Sequence, residues 1–356
     1  MPTQVAATAT GLAGHGAGQL TAVHIDTYNA GLRDEEGFIG DRASNRAFRA
    51  MLDDRRERVS HVEGDPIGDV PSKEISKKKL DRLLVDGDPE AAGLLLGTIE
   101  DFAQEFATVI RRFLRLKEWR GTQRIVVGGG LRAGRIGELA IGRTAVILKA
   151  SGHEIQLWPI RHDPDKAGLI GCIHLAPSWI FSGHDSILAV DIGGSNIRVG
   201  IIELNLRKAS DLSKSKVWTS ELWRHVDDKP DREAAVERLA DMLRAMIKRA
   251  GKHGLRLAPF IGIGCPGLIR ENASIEKGGQ NLPGNWEHKD FNLPQLLRKA
   301  IPAIGGHDVA VLMHNDAVVQ GLSEAPFMRD VEHWGVMTIG TGLGNARFTN
   351  RTSGRD

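Results

Sequence analysis

Residues 187–204 read ILAVDIGGSNIRVGIIEL and hold the first group of side chains able to do chemistry. Asp191, Gly193, Gly194 and Ser195 fall between two apolar, β-branched runs that read as antiparallel strands joined by a glycine turn. Glycine there admits positive φ and lets a bulky group approach the amides. Consecutive exposed N–H groups form a nest for phosphate oxygens, and Ser195 adds a hydroxyl. An acid at the mouth of an anion cradle makes sense when a cation such as Mg²⁺ lies between, which assigns Asp191 to the metal. A plain hairpin with a solvated aspartate accounts for the same letters. Two more strand-to-glycine junctions occur: residues 124–130, RIVVGGG, and residues 335–344, GVMTIGTGLG. Together the three suggest a nucleotide whose phosphates and base are held from several sides. The pair Asn315-Asp316 ends the strand at 309–313, just before a helix at 317–323, where open α/β sheets carry catalytic groups. Simple helix capping by Asp316 is the alternative.

Other signals are discounted. Gly262, Gly264 and Gly267 match the dinucleotide glycine fingerprint, but Pro266 and the apolar Leu268-Ile269 oppose the helix that fingerprint requires. Cys265 reads as a small buried thiol, with no base specified beside it. With 2 cysteines, Cys172 and Cys265, neither a disulfide framework nor a four-cysteine zinc site can form, which favours a reducing, cytoplasmic setting. The net charge of +2 gives no argument for nucleic acid or an anionic membrane. No apolar run approaches a membrane span, and the Ala/Gly/Thr-rich start lacks the pattern of a secretory signal and reads as a loose tail over residues 1–20. The run Lys77-Lys78-Lys79 reads as a solvated helix face.

The elements that must position these residues alternate between strand and helix, an α/β pattern. Helices are expected over 43–58, 76–84, 137–151 and 167–176. Pro89 opens a longer one in which Ile99, Phe102, Phe106, Val109, Ile110 and Phe113 recur at helical spacing. Asp231 is a fitting N-cap for a helix that Gly251 ends. Buried strands are expected at 125–127, 155–159 and 259–265.

The motifs DIGGSNIRVG, IGIGCPG, NLPGNW, HNDA and GTGLG occur in an order and spacing that resemble the ROK family of bacterial sugar kinases and sugar-responsive repressors. The likeness covers residues 187–348. It implies the actin-like ATPase (ribonuclease H-like) two-lobe fold and ATP-dependent phosphoryl transfer to a hydroxyl of a hexose or related sugar. Residues 86–176, including DGDPEAAGLLLG, RIVVGGGLRAGRIGEL and PDKAGLIGCIHLA, resemble the last third of such a chain but precede the hairpin, so a circular permutation is expected. It places residues 21–184 and 337–356 in one lobe and residues 185–336 in the other, and brings residues near 348 close to the 21–45 segment.

Carried over, the resemblance gives Asp191, Gly193, Gly194 and Ser195 to the β/γ-phosphates and Mg²⁺. It gives Thr341, Gly342 and Gly344 to a second phosphate loop, and Gly128, Gly129 and Gly130 to the adenosine of ATP. Asn315 orients the sugar, Asn281, Gly284 and Asn285 line its site, and Asp316 is the general base. The family's Glu-x-Gly-His and cysteine-rich zinc loop are absent, so no zinc is expected; Glu35, Glu36 and Asp41 are the nearest substitutes on offer for the sugar-gripping acid. A catalytically weak sugar- or nucleotide-binding regulator is the competing reading. Residues 1–60 carry no convincing helix-turn-helix, which argues against DNA binding. Neither a membrane nor a nucleic-acid partner is expected, and a homodimer is compatible with the sequence.

Overall fold

The computed structural model describes residues 12–62 and 64–351. Its principal strands in chain order are β1 (Val23–Tyr28), β2 (Arg124–Gly128), β3 (Gln156–Pro159), β4 (Ser186–Ile192), β5 (Ile197–Glu203), β6 (Lys216–Trp223), β7 (Leu257–Cys265), β8 (Ala310–Asn315), β9 (His333–Ile339) and β10 (Leu343–Asn350). The principal helices are α1 (Asn45–Ser60), α2 (Lys77–Asp86), α3 (Pro89–Leu114), α4 (Arg135–Ala150), α5 (Pro164–Gly171), α6 (Arg232–Lys252), α7 (Leu293–Ala300) and α8 (Asp316–Leu322).

Local chemistry explains most boundaries. Ser44, Ser76, Asp88, Asp231 and Asn292 each cap a helix through a side-chain oxygen that accepts from a first-turn N–H. Pro89 follows its cap directly, as the sequence indicates. α6 runs one residue past Gly251 to Lys252, because the chain reverses only at Gly254, where φ is +67°. The 167–176 segment is split: α5 ends at Gly171 and a 3₁₀ turn spans Cys172–Leu175.

The chain divides into two compact units. The first comprises residues 1–29, 166–332 and 348–356, of which the described ones are meant throughout. Its sheet has the order β8-β7-β4-β5-β6. β4 pairs antiparallel with β5 and parallel with β7, and β7 pairs parallel with β8. The central strands are buried on both faces and correspondingly apolar. Leu239, Leu243 and Met246 of α6 and Leu293 and Leu297 of α7 share one core with Val190, Ile201, Ile263 and Met313.

The second unit comprises residues 30–165 and 333–347. Its core joins Phe102, Phe106 and Phe113 of α3 to Ile125, Val127, Met337 and Ile339 of the strands. Within it the strand order is β10-β9-β2-β3, with β9–β2 and β2–β3 parallel. Two adjacent strands joined by three residues, as β9 and β10 are, run antiparallel. The order therefore repeats that of the other sheet, with a central strand flanked by its hairpin partner on one side and two parallel strands on the other. This doubled α/β sheet is the arrangement expected of an actin-like ATPase fold.

Residues 21–29 and 166–184 fall in the first unit. One sequence expectation changes. Residues 12–20, read as part of a loose tail, are ordered: the Gly16 N–H donates to the Met313 carbonyl at 3.0 Å, and Leu20 bonds Val23. Residues 1–11 lie outside the described part. The expected approach of residues near 348 to the 21–45 segment holds inside the first unit. There Arg351 N–H reaches the Ala22 carbonyl at 3.0 Å, and Thr349 donates to Asp26 at 2.9 Å.

α5 lies against α8 so closely that a Cβ on Gly171 would stand 1.7 Å from the Val319 carbonyl oxygen. Gly171→Ala is expected to destabilise the protein by about 1–3 kcal/mol through forced backbone displacement, read as a lower Tm in thermal unfolding.

Candidate active site

The first unit gathers two carboxylates where its parallel strands end. Asp191 on β4 is in register with Gly264 on β7, which is in register with His314 on β8. A Cβ on Gly264 would lie 3.6 Å from the Asp316 Cα, so only that glycine separates the two acids. The proximity is electrostatic as well. Burial first, and then the Asp191 charge, push the Asp316 carboxyl up to about 7. Arg198 is opposite Asp191 on the hairpin, with a guanidinium nitrogen 3.8 Å from its carboxylate. Gly168 of α5 brings backbone onto the same carboxylate; a Cβ there would sit 2.5 Å from the Asp191 Cγ.

Asn315, not Asp316, caps α8. Its Oδ1 accepts from the Ala317 and Val318 N–H groups at 3.0 and 3.2 Å, and its Nδ2 donates to the Gly267 carbonyl at 2.9 Å. With Asn315 2% exposed and both ends of its amide engaged, it fixes the helix that presents Asp316. Asp316 is half-buried at the first helical position, its Oδ1 accepting from Ala317 N–H at 2.9 Å. Beneath it the Asn315 N–H donates to His314 Nδ1 at 2.7 Å, and His314 Nε2 donates to the Ala17 carbonyl at 3.2 Å. Burial holds the His314 ring neutral, its pKa lowered to about 4.

The hairpin turn has the form the sequence indicates, with one difference. The Gly193 N–H closes the turn on the Asn196 carbonyl at 2.8 Å, and His225 Nε2 donates to the Gly193 carbonyl at 2.9 Å. The N–H groups of Gly194 and Ser195 have no acceptor among the described residues. Neither glycine has positive φ. What Gly194 supplies is room, since a Cβ would stand 3.0 Å from that of Asn281. Asn281 thus borders the turn. Asn285 is committed elsewhere: its Oδ1 accepts from Glu287 N–H at 3.1 Å and its carbonyl from Arg232 at 3.0 Å. Gly284, at φ +72°, packs on Arg232.

Cys265 is fully buried and its thiol is pushed far up by burial and the Asp316 charge, which rules it out as a nucleophile. Cys172 is buried likewise, with its thiol raised out of reach.

The second unit carries the other two glycine loops side by side, Thr338 being in register with Gly128. Gly129 has φ +83° and so little room that a Cβ would stand 2.5 Å from the Ile339 N. The turn after β9 closes from Gly340 N–H to the Gly342 carbonyl, leaving Thr341 exposed and Gly344 within β10. Lys77, Lys78 and Lys79 are exposed, as the sequence indicates, and the Lys77 Nζ in addition donates to the Gly130 carbonyl at 2.7 Å. Burial and the Arg49 charge lower its pKa. A cavity of about 160 Å³ opens here, with Phe48, Leu80, Leu131 and Ile136 for walls and Asn45, Arg49, Lys77 and Asp81 for polar groups. Asp81 Oδ1 accepts the Ile136 N–H at the start of α4. Of the offered sugar-gripping acids, Asp41 pairs with Arg46 and Glu36 with Arg42, all within this second unit.

His15, Tyr28, His225 and Gly168 were not singled out by sequence. Each acts across a long separation through one contact, and no motif or periodicity marks such a residue. Among the described residues no cluster of three or more His, Cys, Asp or Glu side chains is placed to cage a metal, and no helix is long and apolar enough to cross a membrane.

Residues 187–353 match the family model described as ROK family. No curated protein matches the chain. Solved structures similar to it include a ROK family glucokinase from Streptomyces griseus in complex with glucose and AMPPNP (18% identity, TM-score 0.35, 48% of this chain and 46% of that one). Two others carry provisional descriptions. One is a sugar kinase from Cytophaga hutchinsonii (19% identity, TM-score 0.36, 48% and 50%), the other an N-acetylmannosamine kinase from Listeria monocytogenes (22%, 0.33, 46% and 47%). The chain spans about half the length of these structures.

The raised Asp316 pKa has a stability consequence. A carboxyl that titrates near 7 folded and near 3.8 unfolded stabilises the fold while protonated and loses that contribution as pH rises through 7. Asp316→Asn is therefore expected to raise Tm at pH 8, with the gain vanishing near pH 4, in paired thermal melts.

Proposed function

We propose that the protein, whose residues 187–353 match the ROK family model, is an ATP-dependent sugar kinase whose general base is Asp316. The observation that carries this reading is the pairing of a carboxyl poised near neutrality with a second carboxylate and two unpartnered amides. A base works best when its pKa is near the working pH, and Asp316 meets that condition through burial and the Asp191 charge.

Asp316 takes the proton of the attacking hydroxyl, and Asn315 holds it in place. The Gly194 and Ser195 N–H groups, with the Ser195 hydroxyl, hold phosphate oxygens. The donor set suits Mg²⁺ bound through the nucleotide: two neighbouring carboxylates cannot cage the ion alone, and Mg²⁺ commonly takes one or two carboxylates with substrate phosphates and water. Asp191 would be its protein ligand, and the ion would supply charge neutralisation. His225 and Asn281 keep the turn in shape. Phosphoryl transfer asks for little beyond such positioning and neutralisation.

The cavity beside Gly130 supports a place for the adenine. Its apolar walls accept a flat ring, Asp81 and Asn45 offer polar partners, and its size suits a ring system rather than a whole nucleotide. The strand order also supports the permuted arrangement, because β9 late in the chain shares a sheet with β2 and β3 from its first half.

A regulator that binds sugar without turnover is the second reading. It is favoured by the absence of the family's zinc loop and Glu-x-Gly-His.

A coupled ADP-release assay over a sugar panel with ATP and Mg²⁺ decides between them. Turnover is expected with at least one sugar, its rate falling as pH drops below about 7. Asp316→Asn is expected to cut kcat about 10²–10⁴-fold while calorimetric sugar affinity is kept. Binding without turnover in the parent protein supports the regulator. In a separate test, Leu131→Trp, which fills the cavity, is expected to raise KM for ATP and leave sugar affinity unchanged.

A further inference from the structure

The ordered segment before β1 places a histidine against the strand that leads to Asp316. His15 Nδ1 accepts the Met313 N–H at 3.2 Å. Gly16 N–H returns a bond to the Met313 carbonyl at 3.0 Å, and the Ala17 carbonyl receives His314 Nε2 at 3.2 Å. On its other side the segment is pressed on the loop that follows β7, where a Cβ on Gly16 would stand 2.2 Å from the Ile269 carbonyl oxygen. That loop supplies Gly267, whose carbonyl holds Asn315. Tyr28 ties the same loop down, its hydroxyl donating to the Ile269 carbonyl at 3.0 Å while its ring meets His314 edge-on. Residues 15–17 are thus clamped from two sides at the carboxyl ends of β7 and β8, the end of a parallel sheet where ligands bind.

We propose that His15 is a substrate-binding residue of the alcohol site, donating from Nε2–H to a hydroxyl of the sugar that Asp316 deprotonates. The bond to Met313 makes Nδ1 the acceptor, so the proton is on Nε2. That nitrogen has no partner among the described residues and is not sealed in the interior, His15 being half-buried. Burial and the Arg298 charge lower the His15 pKa and keep the ring neutral, so it donates as an imidazole. Met313 precedes Asn315 by two residues, about 7 Å along a strand, which is the scale of one sugar ring. One end of the ring then faces the base and the other faces His15. The sugar-gripping role that the family fills from its missing Glu-x-Gly-His motif falls here to a histidine of the first unit. Glu36 and Asp41, held in ion pairs of the second unit, are not needed for it.

This inference rests on the sugar-kinase reading, and the experiment separates the two. Full-length parent, His15→Ala and His15→Gln proteins are assayed on the best sugar of the panel and on its mono-deoxy analogues. His15→Ala is expected to raise KM for the sugar about tenfold, the scale of one hydrogen bond, with kcat little changed. Glutamine offers an acceptor for Met313 N–H and a donor beyond it, so His15→Gln is expected to recover most of the loss. One deoxy position is expected to weaken the parent protein yet leave His15→Ala no worse, which names the hydroxyl contacted. A purely structural role would weaken all analogues alike and show itself in Tm. An unchanged KM in His15→Ala, or equal penalties for every analogue in both proteins, overturns the assignment of His15 while the kinase reading stands. A parent protein that neither binds nor turns over any sugar overturns both.

Discussion

The structure depends most on two acids held where both cannot be comfortably ionised. Asp191 stands near the end of β4 and Asp316 directly after β8, with one glycine-bearing strand of the parallel sheet between them. Neither can retreat. Asp191 is 7% exposed and fixed by a strand paired on both sides. Asp316 begins a helix whose cap, Asn315, is itself anchored to Gly267. Burial first, and then the Asp191 charge, raise the proton affinity of Asp316.

Close backbone approach is the means by which the site is built. α5 reaches Asp191 and α8 at points where it has glycine, and the turn after β4 reaches Asn281 in the same way. Side chains at these positions would push the elements apart by more than a packed interior can absorb. The glycines of the hairpin therefore act less through unusual dihedral angles than through the space they leave. In the second unit Gly129 needs both, since its φ is positive and its neighbour is the Ile339 backbone.

Support for Asp316 comes from a relay of neutral groups. His314, buried and uncharged, receives the Asn315 N–H and passes a bond to Ala17. Tyr28 packs on the same ring and holds the Ile269 backbone. Each member satisfies its neighbour's polar groups, which is what permits so many to be buried beside a carboxylate pair. Substituting any one leaves a donor or acceptor unpaired at the base of the site.

Sequence by itself determined the local elements and the identity of the acids. The runs around Asp191 have the β-branched, apolar letters of a strand buried on both faces, and the Asp88-Pro89 and Asp231 signals start helices where they indicate. Such features depend on neighbours within a few positions, so a single sequence displays them. Tertiary structure alone decided that Asn315 is the cap and Asp316 the free acid. It alone showed that Lys77 bonds the Gly130 carbonyl, and that a segment near residue 15 lies along β8. These outcomes join residues separated by up to some three hundred positions and turn on which donor meets which acceptor after packing. No short-range pattern encodes that meeting, because the energy of a hydrogen bond depends on where both partners end up and not on the letters between them.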